Sequence, residues 1–239
     1  MSEIFEKRIK IENGKEFVFS IPSNENIGCM ISGGADSAIL TYVLAQTIRE
    51  ENLGSKIYPI TAELLKRPFN IRYSHEVLKK VCDLTGFQFE PHLIFPVPNY
   101  HDDMTPEMRT ETMKFYVTFF QTAHSIPKVF NGITANPPIG AVSSTERGMR
   151  PADRDDPETL KERETKKTVS MPFVRFDKRD IALLYKKLGV IHQIFPLTRS
   201  CEGDAQESES FTKDCFDFRP SGEECWWCKE RAYGFEGLI

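Results

Sequence analysis

Apolar and polar positions alternate from Arg8 to Glu12 and again from Glu16 to Ile21, on either side of the pair Asn13-Gly14. A period of two flanking residues that tolerate positive φ predicts a β-hairpin, an edge ribbon at the start of the chain. From Asn26 the pattern changes to short apolar runs separated by longer helical stretches. Ile27–Ile31, Lys56–Ala62, Phe87–Phe95 and Lys128–Ile133 read as strands, and Ser170–Phe176 as extended. Asp36–Glu51, Ile71–Thr85, Pro106–His124 and Lys178–Leu188 read as helices. Strands alternating with helices predict an α/β fold, a mostly parallel sheet with helices on both faces. The same changes of pattern divide the chain into an N-terminal β-hairpin (1–22), an α/β domain (23–196) and a C-terminal subdomain (197–239).

Composition narrows the function classes. The 239 residues carry 31 Lys plus Arg against 35 Asp plus Glu, a formal net charge of -4, which argues against nucleic acid or an anionic membrane as a bulk partner. No apolar run is long enough to cross a bilayer, and Met1-Ser2-Glu3-Ile4-Phe5-Glu6-Lys7 lacks the plan of a secretory signal, so a cytoplasmic location is expected. From Glu146 to Lys167 fourteen of twenty-two residues are charged, seven of each sign. Balanced charge of this kind makes a solvated loop or exposed helix, or a lid over a site.

The segment with the most chemistry is Ser32-Gly33-Gly34-Ala35-Asp36-Ser37, between a predicted buried strand and a predicted buried helix. Two glycines let the backbone turn sharply and approach an anion, and the first amides of the following helix offer unpaired N–H groups to it. Phosphate suits such a turn. Ser32 and Ser37 can donate hydroxyl hydrogen bonds, while Asp36 can cap the helix or help hold Mg²⁺. The loop has neither the Lys of a Walker A sequence nor the third Gly of a dinucleotide fingerprint.

Six cysteines occupy positions 29, 82, 201, 215, 225 and 228. Cys201, Cys215, Cys225 and Cys228 supply four thiolates, the last two as Cys-Trp-Trp-Cys, whose two-residue spacer lets both sulfurs reach one ion. Four sulfurs complete the shell of a structural Zn²⁺ and leave no position for a catalytic water. Cys29 and Cys82 fall in a predicted strand and helix, as small buried hydrophobes. Trp226 and Trp227 either pack this knuckle onto the domain or stack on a flat substrate. Arg231, one turn on, either reaches phosphate or carboxylate or caps the knuckle. His92, His101, His124 and His192 show no spacing that converges on a metal.

Ser-Gly-Gly-x-Asp-Ser after the first strand of the α/β domain resembles the PP-loop of the ATP pyrophosphatase superfamily, an adenine nucleotide alpha hydrolase-like fold. Together with Ser200-Cys201, Cys215 and Cys225-Trp226-Trp227-Cys228-Lys229-Glu230-Arg231, it makes the chain similar to the 7-cyano-7-deazaguanine synthases, the QueC family. Met171-Pro172-Phe173 through Lys178 looks like that family's Pro-Leu then Lys segment. Between these ends the family's Tyr-Gly-Gln-Arg-His stretch is only loosely echoed by Arg72-Tyr73-Ser74-His75, and its Tyr-Pro-Asp-Cys-Arg segment is replaced by Asn136-Pro137-Pro138 and the charged insertion.

The resemblance implies an ATP-dependent ligase that adenylates a carboxylate, releases pyrophosphate and couples ammonia to give an amide or nitrile. It implies Ser32, Gly33, Gly34, Asp36 and Ser37 at the pyrophosphate, with Lys178 adding a cation and Arg231 in reach, and Asp36 and Lys178 as the residues of the chemical step. Lys178 is otherwise an ordinary helix-face lysine, and Arg72 and His75 are either acceptor contacts or surface residues. The cofactors implied are ATP, Mg²⁺ and Zn²⁺, the partners a deazapurine-like carboxylate and ammonia, with a homodimer as one possible assembly. Two other readings stand beside this one: adenylation of a different acceptor (RNA, nucleobase or protein), and a non-catalytic zinc-knuckle binding module.

Overall fold

The structure, a computed structural model, describes residues 3–64, 69–97, 106–142, 168–200 and 226–239. Strands β1 (Ile4–Lys10) and β2 (Glu16–Pro22) pair antiparallel in a register that sets Ile9 opposite Phe17 and Lys10 opposite Glu16. The turn is wider than the Asn-Gly pair alone predicts. Only Gly14 takes a positive φ, +86°, and Ile11 N donates to Lys15 O at 3.0 Å, so a five-residue loop closes the hairpin and Asn13 is left free to bond elsewhere.

The larger sheet is parallel throughout: β3 (Asn26–Met30), β4 (Lys56–Leu64), β5 (Leu93–Val97), β6 (Lys128–Phe130) and β7 (Val169–Ser170), in the order β5-β4-β3-β6-β7. The helices between them are α1 (Ala35–Glu50), α2 (Phe69–Thr85) and α3 (Pro106–Ala123). Strand β3 shows why both faces are covered. Ile27, Cys29 and Ile31 enter the core that α1 fills, while Gly28 backs onto Ile60 and Val129 in the core beneath Phe120 of α3. Apolar residues on both faces are the reason β3 reads as a continuous hydrophobic run.

Two sequence expectations shift. The third strand starts at Leu93 rather than Phe87: residues 87–92 run beside β4 with Glu90 N bonded to Ile57 O, and ladder pairing begins with Leu93 opposite Ile60. The stretch Ser170–Phe176 is extended only at its start. Past Ser170 it folds into consecutive turns, Val174 N to Met171 O and Phe176 N to Phe173 O, with Pro172 at the position where its fixed φ suits a turn.

After these turns come α4 (Lys178–Lys187), α5 (Ile191–Ile194), a 3₁₀ turn (Phe195–Leu197) and α6 (Trp226–Phe235). Helix α4 starts with a reciprocal capping box between Asp177 and Asp180. The hairpin loop docks on that start. Asn13 Nδ2 donates to Asp180 Oδ1 and Lys15 Nζ to Asp180 Oδ2, both at 2.6 Å, while the Phe17 ring packs on Phe173 at 4.7 Å. The ribbon is therefore built into the core with α1 and α4. Replacing Asp180 with alanine removes half of the capping box and two charge-assisted bonds at once. The expected loss of stability is about 2–4 kcal/mol, read by urea denaturation, with Asn13→Ala losing less.

Among the described residues no helix is long and apolar enough to cross a membrane.

Candidate functional site

The chain leaves β3, builds β4 and β5 on one side of it, then returns to place β6 on the other. The carboxyl ends of β3 and β6 therefore flank the point where strand order reverses, where open α/β sheets form their ligand crevices. Ser32–Gly34 sits there, directly after the last ladder bond, Ile31 N to Ile60 O.

The two glycines of this loop answer to different demands. Gly33 has φ +77°, and a Cβ there would collide with the Tyr73 Cβ and lie 3.0 Å from Ser74 N, so α2 itself requires glycine. Gly34, the N-cap of α1, has φ −79°, and a Cβ there would meet only Ser32 Oγ at 3.4 Å and Arg199 O at 3.6 Å. Among the described residues nothing in the packing forbids a side chain at Gly34, and its absence leaves room beside the first amides of α1. Among the described residues no side chain caps that helix. Behind it, Gly132 passes so close that a Cβ would lie 3.1 Å from Ser37 N.

The serines brace the loop. Ser37 Oγ donates to Gly34 O at 3.1 Å and accepts from Ser32 N at 3.2 Å, while Ser32 Oγ accepts from Gly34 N at 3.3 Å. The Tyr185 hydroxyl of α4 donates to Ala35 O at 2.8 Å. Complete burial raises that phenol well above its ordinary value, against the opposing pull of the Arg231 charge and with a smaller push from Asp36, so the proton that makes this bond stays in place.

Lys178, the first residue of α4, brings a cation to the same place. Its stem runs beneath Gly234 of α6, where a Cβ would collide with the Lys178 Cγ and approach its carbonyl oxygen. Its ammonium lies 2.7 and 2.5 Å from the two carboxylate oxygens of Asp36 and 3.8 Å from Glu230 Oε2. Lys178 and Glu230 are only 3% and 1% exposed, so neither is the surface residue that a helix-face lysine would be.

Asp36 thus neither caps α1 nor presents an open carboxylate. Both of its oxygens face an ammonium, and the arrangement does not fit Mg²⁺ at Asp36.

Arg231 turns inward. Its guanidinium donates to Thr198 Oγ1 at 2.7 Å and Phe195 O at 3.1 Å, and lies over the Phe195 ring at 3.7 Å. The segment it grips reaches the glycine loop, since Arg199 N donates to Gly33 O at 2.8 Å. Arg231 therefore acts on the loop through residues 195–199 in this arrangement, with its guanidinium held by the fold.

Of the four predicted metal ligands, Cys228 is buried on α6, and Cys201, Cys215 and Cys225 lie outside the described residues. Among the described residues no three His, Cys, Asp or Glu side chains converge on a metal position. Trp226 is buried at 1% exposure, which favours packing over stacking on a substrate for that ring. Arg72 and His75 are exposed on α2, with Arg72 bonded to Glu76 at 3.0 Å.

Several residues that position this site carry no motif: Gly132, Gly234, Glu230 and Arg199. The sequence offered two signals, a glycine in a short polar stretch after a strand, at Gly132, and a glycine inside a helix, at Gly234.

No family model and no curated protein matches the chain. Among solved structures it is similar to the U34-tRNA thiolase NcsA from Methanococcus maripaludis with its [4Fe-4S] cluster, at 13% identity and a TM-score of 0.45 over 82% of this chain. The match spans 63% of that protein, less than two thirds of its length.

Proposed function

We propose that this protein is an ATP-dependent adenylating enzyme of the PP-loop kind, and that its reaction is the ligation of ammonia to a deazapurine-like carboxylate. The observation that carries the reading is the convergence of the buried Lys178 ammonium on the uncapped first turn of α1, beside Gly34 and at the sheet's switch point. A polyphosphate needs amide donors, a cation and a backbone it can approach closely, and all three meet there.

In this reading the amides after Gly34 hold the pyrophosphate portion of ATP. Lys178 exchanges part of its contact with Asp36 for phosphate oxygens, and Asp36 keeps the ammonium aimed. The acceptor carboxylate attacks the α-phosphorus, the bond to the bridging oxygen breaks, and pyrophosphate leaves. Ammonia then attacks the acyl carbon, loses a proton and displaces AMP. A second activation of the resulting amide, with its oxygen leaving on AMP, gives the nitrile. The protein's part is positioning and charge stabilisation, since the phosphorus centre supplies the electrophile.

Mg²⁺ would neutralise phosphate charge when bound, and no step is assigned to it through Asp36. Zn²⁺ belongs to the proposal at Cys201, Cys215, Cys225 and Cys228, as a fastener at the start of α6. Metal analysis of the folded protein is expected to give about one equivalent of zinc, as one four-thiolate site holds one ion, and Cys228→Ser to lower it.

The departures from the QueC family between residues 63 and 75 and after β6 favour one second reading, adenylation of another acceptor. A sulfur relay through Cys29 or Cys82 is disfavoured. Burial pushes the Cys29 thiol up to about 12 and also raises Cys82, so neither forms a thiolate readily.

The test is incubation with ATP, magnesium, ammonium and 7-carboxy-7-deazaguanine, with pyrophosphate release and product mass as readouts. Substrate-dependent release with amide or nitrile supports the reading. ATP binding without release moves the acceptor elsewhere or leaves a binding module, and no ATP binding overturns the proposal.

A further inference from the structure

Outside the glycine loop, two histidines that the sequence does not pair meet at the edge of the sheet. His92 precedes β5, His75 lies on α2, and their ring centroids are 4.8 Å apart with planes at 77°.

The hydrogen bonds settle which nitrogen of His92 carries its proton. Thr61 on β4 stands 2.6 Å from Ile31 O, a carbonyl that can only accept, so the single hydroxyl proton of Thr61 goes there. The 2.7 Å contact between Thr61 Oγ1 and His92 Nε2 then requires Nε2–H to donate. The lone pair of His92 is left on Nδ1, which is buried and has no hydrogen-bond partner among the described residues. A bare buried acceptor of this kind is rare and calls for an occupant.

Burial, and then the charge of His75, lower the ring to about 4, so it is neutral at ordinary pH. A neutral imidazole whose other N–H is tied to a fixed acceptor is the arrangement of a metal-ligating histidine. Two imidazoles on one tetrahedral ion place their ring centroids roughly 5 Å apart, given metal–nitrogen bonds of about 2.0–2.1 Å. The His75–His92 spacing matches that geometry, and His75 is exposed, so water can complete the shell.

We propose that His92 Nδ1 and His75 form a two-imidazole site for a borderline divalent transition-metal ion, with Thr61 as the residue that sets the His92 tautomer. Nitrogen donors without thiolate or a carboxylate cage suit Zn²⁺, Co²⁺ or Ni²⁺ over Mg²⁺ or Ca²⁺. A bound ion would clip α2 to the start of β5. Tyr73 and Ser74, the residues that crowd Gly33, precede His75 on the same helix, so the clip would also steady the glycine loop. The site is independent of the adenylation reading.

The experiment is a Zn²⁺ titration of the full chain, beyond the amount its cysteines take up, followed through histidine side-chain ¹⁵N resonances. In the metal-free spectrum His92 is expected as the Nε2–H tautomer. On adding Zn²⁺, His92 Nδ1 and one nitrogen of His75 should shift together, and the melting temperature should rise. His75→Ala, a change at an exposed position, should abolish the paired shift and the rise. Thr61→Val should weaken the response by about 10–100-fold and Thr61→Ser retain it, as expected when an outer hydrogen-bond partner orients the ligand. A His92 protonated at Nδ1, resonances unmoved by excess Zn²⁺, or an unchanged response in His75→Ala would each overturn the site.

Discussion

Lys178→Ala is expected to lower ATP-dependent pyrophosphate release by about 10²–10³-fold, the usual loss when one preorganised charge partner of the transition state is removed. The same change should cost stability, because it leaves the carboxylates of Asp36 and Glu230 at the α1–α4–α6 junction without that ammonium. Breaking a buried ion pair from one side costs about 3–5 kcal/mol, and each kcal/mol moves the melting temperature of a chain this size by about 2–4 °C.

Activity and folding can be separated. Lys178→Met with Asp36→Asn and Glu230→Gln replaces the ammonium by an apolar chain of similar length and neutralises both carboxylates that face it. Stability should largely recover while pyrophosphate release stays low. Recovery of both would make Lys178 a structural residue only, and an active Lys178→Ala would remove it from the reaction.

The paired glycines yield the second large effect, and the contrast between them is the test. Gly33→Ala must hold alanine at φ +77° against the backbone of α2, and about 3 kcal/mol or more of destabilisation is expected. Gly34→Ala places its methyl in ordinary contact at φ −79° and should cost about 1 kcal/mol or less, the difference between glycine and alanine as an N-cap. Its effect should appear instead on ATP, as at least a tenfold loss of affinity by calorimetry, since the methyl would occupy the space next to the first amides of α1. A stable Gly34→Ala protein that binds ATP like the wild type would show that phosphate does not approach that turn.

The alternation of short apolar runs with helical stretches was legible because a doubly covered parallel strand is apolar on both faces, as Ile27–Met30 is. Helix limits came within two residues, as in Phe69–Thr85 against the expected Ile71–Thr85, because glycine and capping residues mark them locally. Strand limits were less legible: β5 starts only at Leu93, and β6 stops at Phe130, just short of Gly132. Ladder length depends on what the neighbouring strand offers, which lies far away in the chain.

At the site, the glycine loop was readable because its turn and its helix start are contiguous in sequence. The setting of Lys178 was not. Its partners Asp36 and Glu230 are 142 and 52 positions away, and Gly234, which admits its stem, lies on a helix that only packing brings near. The sequence alone determined the α/β layering, the hairpin and a glycine turn at a helix start, since these rest on periodicity and backbone freedom within a few residues. The tertiary structure decided that Asp36 faces an ammonium instead of an open shell, that Arg231 turns inward, and that His75 meets His92. Those outcomes depend on distances between side chains from separate elements, which no local pattern encodes.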